Sequence, residues 1–106
     1  MNMKTILVPT DFSNNAYCAL FYAAKLFENV PRRFIILNSF ESEVSFLTSH
    51  LNTDKSEEEF NKLYKSSEEK CLTVQHKLIN DLENTKHIFK IIATPLKLTK
   101  AINDLI

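Results

Sequence analysis

The chain of 106 residues contains no glycine and no tryptophan, three prolines and two cysteines. The missing glycine excludes the most. An average soluble chain of this length would carry about seven, and glycine is the usual means of bringing backbone N–H groups against a phosphate. Phosphate-cradling loops of the Rossmann and P-loop kinds are therefore excluded. The two cysteines, Cys18 and Cys71, sit in helical patterns without C-x-x-C spacing. Neither a disulfide nor a zinc site is expected, and both read as buried or half-buried small apolar residues.

Neither sign of charge is in excess, because 13 basic side chains offset 13 acidic ones. A nucleic-acid partner would require a basic stripe, and Arg32-Arg33 with scattered lysines is too sparse to make one. The lysine-rich stretches read instead as solvated helix faces. There is no apolar run of about eighteen residues, so no membrane partner is expected. The opening Met1-Asn2-Met3-Lys4 does not carry the apolar core of a signal peptide, and the expected location is the cytoplasm.

What the chain does contain is Ile6-Leu7-Val8-Pro9-Thr10-Asp11-Phe12-Ser13, an apolar strand that passes directly into a polar turn and a helix cap. The run Ile6-Leu7-Val8 suits a parallel strand covered on both faces and interior to its sheet, spanning Lys4 to Val8. Asp11 then stands at the strand's carboxyl end, where open α/β sheets bind ligands. Ser13 is placed as the N-cap of a helix whose apolar stripe is Ala16, Ala19, Leu20, Ala23, Ala24 and Phe27. The alanines let that helix lie close to a sheet, and Asn29-Val30-Pro31 stops it.

A second apolar run, Phe34 to Phe40, becomes polar toward its end and completes a right-handed βαβ unit. Glu41 to Lys55 has no clear period and reads as a loop, with a short helical turn at Val44 to Ser49 packing its apolar residues. Ser56-Glu57-Glu58-Glu59 has the form of a capping box opening a long amphipathic helix through Phe60, Leu63, Tyr64, Cys71, Val74, Leu78 and Leu82. Asn84 is the expected left-handed stop. A third strand, Ile88 to Ala93, ends at Pro95, and Leu98, Ala101, Ile102 and Leu105 begin a last helix. With no linker or repeat, the chain is one domain, residues 1–106, of the α/β class with a three-stranded parallel sheet.

The strand Lys4 to Val8 followed by Pro9-Thr10-Asp11-Phe12-Ser13 resembles the amino-terminal signature of the universal stress protein family. The alanine-rich helix, the strand ending Leu37-Asn38-Ser39-Phe40 and the long later helix are similar to that family in order and spacing. The resemblance implies a three-layer α/β/α domain of the adenine-nucleotide α-hydrolase-like type, truncated here to three of five strands. It implies that Pro9, Thr10, Asp11 and Ser39 hold the adenosine part of ATP. The family's triphosphate loop, G-x-x-G-x9-G-[S/T], follows the fourth strand, beyond Ile106. Asp11 alone repels phosphate, so the chain is expected to have no cofactor of its own, with ATP bound only if a partner chain completes the site. The family's strand order 3-2-1-4-5 would leave the first strand as an open edge, and hence a homo-oligomer or a partner protein is expected there.

Other chemistries find less support. His50, His76 and His87 have no metal-ligand spacing and read as surface or helix-end residues. Glu57 to Glu59 suit a helix start better than an active site. Ser13 has no G-x-S-x-G elbow around it. A receiver domain would need an acid ending the third strand, where Ala93-Thr94-Pro95 stands. The expected function is that of a non-enzymatic, universal stress protein-like module acting by association in a stress response, the alternative being nucleotide binding completed by a partner.

Overall fold

Three apolar runs form strands, and all of them pair in parallel. The computed structural model describes residues 3–50 and 53–105, with side chains described at 3–45 and 57–103. The order is β1 (Thr5–Pro9), α1 (Asn14–Leu26), β2 (Arg33–Ser39), α2 (Glu41–His50), α3 (Thr53–Leu82), β3 (Ile88–Thr94) and α4 (Leu98–Leu105). The chain is thus an α/β fold with a three-stranded parallel sheet of order β1-β2-β3.

Register decides which side chains share a face. Ile6, Phe34 and Phe89 are neighbours across the sheet, as are Val8, Ile36 and Ile91. These residues meet Leu20 and Ala24 of α1 and Leu78 and Leu82 of α3 in one core. Two consecutive crossovers stepping the same way across a sheet put both helices on one face. The other face carries Leu7, Ile35, Leu37 and Ile92, of which only Leu37 is fully buried.

The strand β1 is not interior. It lies at the sheet's edge, pairing with β2 alone among the described residues, and its pattern from Thr5 to Pro9 is exposed, half-buried at Ile6, Leu7 and Val8, and exposed again. An unbroken apolar run fits a strand covered on both faces. Here Ile6 and Val8 are covered by the helices, and Leu7 remains half-open on the far side.

The segment read as a loop is the ten-residue helix α2. It starts immediately after β2: Ser39 Oγ accepts from Glu41 N–H at 3.4 Å, Val44 N–H bonds to Phe40 C=O, and Glu41 and Glu43 occupy the first turn, where the dipole favours acids. The expected packing of Phe46, Leu47 and Leu51 lies outside the described side chains. Helix α3 begins at Thr53, upstream of Ser56. The capping-box position is therefore within the helix.

Two further expectations are corrected. Cys71 is buried but Cys18 is exposed. Two residues from the buried Leu20 is about 200° around a helix, which turns Cys18 to solvent. His87 is no surface residue: at 9% exposure it stands against Phe34, ring centroids 5.0 Å apart. Arg32 N–H donates to His87 Nδ1 at 2.9 Å, so the proton is on Nε2, which lies 2.9 Å from Ala24 C=O and donates to it. That carbonyl belongs to the last turn of α1, where carbonyls need partners from outside the helix. His87 thereby caps α1 from the start of β3.

Candidate functional site

Asp11 is held where the sequence places it, by a turn built without glycine. Its Oδ1 accepts Ser13 N–H at 2.9 Å, and Ser13 Oγ accepts Ala16 N–H at 3.1 Å as the N-cap of α1. Between them Phe12 takes φ 67°, a left-handed conformation that costs a residue with a Cβ roughly 1–2 kcal/mol. Three contacts hold it there. Thr10 Oγ1 accepts Phe12 N–H at 3.1 Å, the Asp11 carboxylate closes the turn on the other side, and Lys70 Nζ of α3 lies 5.7 Å from the centre of the Phe12 ring. The bonds from Ser13 keep the Asp11 carboxyl below the usual carboxylate range, so it is charged at neutral pH.

Beneath the turn runs a buried polar chain that the sequence pattern did not reveal. Asn38 donates Nδ2–H to Thr10 C=O at 2.8 Å and accepts the Ser67 hydroxyl on Oδ1 at 2.6 Å. Thr10, Asn38 and Ser67 are all below one-tenth exposed. Ser67 and Cys71 lie one turn apart on α3, and burial pushes the Cys71 thiol up to about 11 from its ordinary 9.0. The chain fastens the end of β1, the end of β2 and the middle of α3 to one another. Sequence separation hid it, since Asn38 and Ser67 are 29 residues apart.

At the carboxyl ends of β1 and β2 this framework opens into a cleft of about 550 Å³. Pro9, Thr10, Asp11 and Ser39, the four candidate residues, all line it. Ser13, Leu37 and Asn38 share the lining, together with Asn15 and Ala16 from α1 and Leu98 from α4. The hydroxyl of Ser39 is already committed, donating to Leu96 C=O at 2.6 Å and so tying β2 to the approach to α4. Thr10 is likewise engaged through its N–H, C=O and Oγ1. Asp11 is the exposed polar group of the four.

This arrangement suits hydroxyl donors rather than anions. A charged carboxylate accepts hydrogen bonds from a diol, and among the described residues no lysine, arginine or histidine lines the cleft to meet a phosphate. Among the described residues there is no group of three or more histidine, cysteine or acidic side chains able to hold a metal. Glu58 and Glu59 pair with Lys62 at 3.8 and 3.3 Å on the exposed surface of α3, far in character from a catalytic pair. No helix among the described residues is long and apolar enough to cross a membrane. No family model, no curated protein and no solved structure matches the chain.

Proposed function

We propose that this chain is a non-enzymatic module of the universal stress protein kind, cytoplasmic, which acts in a stress response by association and does not hold ATP alone. The observation that carries this reading is the open edge of β1: among the described residues the strand bonds to β2 on one side only. A free strand edge is a template for another strand. The cleft supports the second half of the reading, since it presents the negative charge of Asp11 and, among the described residues, no cation. In the three-layer arrangement that the resemblance implies, the half-open Leu7, Ile35 and Ile92 would lie beneath further cover.

Sedimentation equilibrium of the 106-residue chain over a wide concentration range tests the association. Reversible mass increase above 12.3 kDa is expected, and a cooperative monomer at every concentration would overturn the reading. A second reading is favoured by the gathering of Pro9, Thr10, Asp11 and Ser39 on one cleft: binding of the nucleoside part of a nucleotide, with phosphate contacts from a partner chain. Calorimetric titration separates the two. Micromolar affinity for ATP or AMP that is lost in Asp11→Ala establishes the second; no heat with ATP favours the first.

A further inference from the structure

The open edge of β1 has a defined donor and acceptor pattern. Arg33 N–H bonds to Lys4 C=O, and Thr10 N–H bonds to Leu37 C=O. Backbone groups alternate sides along a strand, so even-numbered residues of β1 face β2 while Thr5, Leu7 and Pro9 face outward. The outward donors are the N–H groups of Thr5 and Leu7, Pro9 having none. This set is self-complementary about Leu7. In an antiparallel pair centred there, each Leu7 exchanges both bonds with the other Leu7. Each Thr5 N–H meets the other copy's Pro9 carbonyl, and the absent N–H of Pro9 leaves a single acceptor per strand without its bond.

Helix α1 carries an independent sign of the same surface. The Tyr17 hydroxyl donates to Asp81 of α3, and Lys77 Nζ lies 3.8 Å from the centre of the Tyr17 ring, which fixes the flank of α1 that faces α3. At about 100° per residue, Ala19 and Leu26 stand on the opposite flank, with Tyr22 beside them. Tyr22 is 70% and Leu26 64% exposed, and Ala19 is exposed as well. Since α3 crosses toward β3, that flank overhangs the free edge of β1. The strand also ends in opposite charges, exposed Lys4 before it and exposed Asp11 after it. Antiparallel pairing about Leu7 sets each Lys4 opposite the other copy's Thr10, one residue along the strand from its Asp11.

We propose that a second copy of this chain occupies this edge: β1 pairs antiparallel with the other β1 about Leu7, and the two α1 helices meet along Ala19, Tyr22 and Leu26. A two-fold axis normal to the sheet makes such an interface isologous and closed, joining two three-stranded sheets into one. The helices then lie on the same face, so the bonds at the strand are covered by apolar contact above them. The inference rests on the association reading and names its partner.

Sedimentation equilibrium on the wild-type chain, Leu26→Lys and Leu7→Pro, with circular dichroism as a check of folding, tests it. Leu7→Pro removes an outward N–H and touches no bond to β2; Leu26→Lys charges the helix flank and leaves the strand alone. The wild type is expected to form a reversible dimer, with each variant raising its dissociation constant at least about tenfold. Should Leu7→Pro not fold, Leu26→Lys decides alone. A wild-type dimer unaffected by these variants would overturn this interface and leave association standing. A wild-type monomer would overturn both.

Discussion

Ser67 donates its hydroxyl to Asn38 Oδ1 at 2.6 Å across the buried contact between α3 and β2, and through Asn38 it holds the carbonyl of Thr10. The bond links the longest helix to the turn that carries Asp11. Removing the donor leaves a buried acceptor without a partner, which costs about 1–3 kcal/mol. Ser67→Ala is therefore expected to lower unfolding stability by that amount in urea denaturation. The double variant with Asn38→Ala should lose less than the sum of the two single losses, because both act on one network. Additive losses would show that the two residues do not work together.

His87 bridges two backbone groups, the N–H of Arg32 and the C=O of Ala24. His87→Ala is expected to destabilise the fold by about 2–4 kcal/mol, from the lost bonds together with the cavity left beside Phe34. Thermal and urea unfolding measure it. A loss below about 0.5 kcal/mol would place the ring outside the core.

The thiols should behave oppositely. In native protein a maleimide is expected to label exposed Cys18 quickly and Cys71 only on unfolding. The Cys71 thiol, raised to about 11 from 9.0 in the fold, gives a stability difference with a definite sign. The folded state favours the neutral thiol. Its contribution is whole below pH 9.0 and is lost as pH rises through about 11, an effect of about 2–3 kcal/mol. Wild-type stability should thus fall more steeply between those values than that of Cys71→Ala. Parallel pH curves would contradict it.

Left-handed backbone marks a site for improvement. Glu83 follows α3 at φ 48° and is exposed, as is Asn84 at φ 40°. Glycine takes that conformation without a Cβ clash, an advantage reduced by its greater freedom when unfolded. Glu83→Gly is expected to stabilise the chain by about 0.5–1 kcal/mol in urea denaturation, and a destabilisation would show that the glutamate side chain holds the turn.

The extent to which the sequence revealed this molecule differs by element. Local signals were sufficient where the controlling contacts are local: Ser13 caps α1 two residues after Asp11, and Asn84 is left-handed just past α3 as expected, with Glu83 before it in the same region. The four residues Pro9, Thr10, Asp11 and Ser39 meet in one cleft because parallel strands align their carboxyl ends. Contacts between distant segments were not legible. Nothing adjacent to Ser67 signals Asn38, and nothing adjacent to His87 signals Ala24. Apolar identity also misled where one face of an element is open, as at Ala19 and Cys18 on α1 and along β1 itself.

Amide hydrogen exchange resolved at Leu7 tests the occupancy of the β1 edge most directly. Its N–H points away from β2, while those of Ile6 and Val8 point toward it. With a second copy on the edge, protection at Leu7 rises with protein concentration and approaches that of its neighbours. Exchange at Leu7 as fast as that of a free amide at every concentration, with Ile6 and Val8 protected, would contradict it.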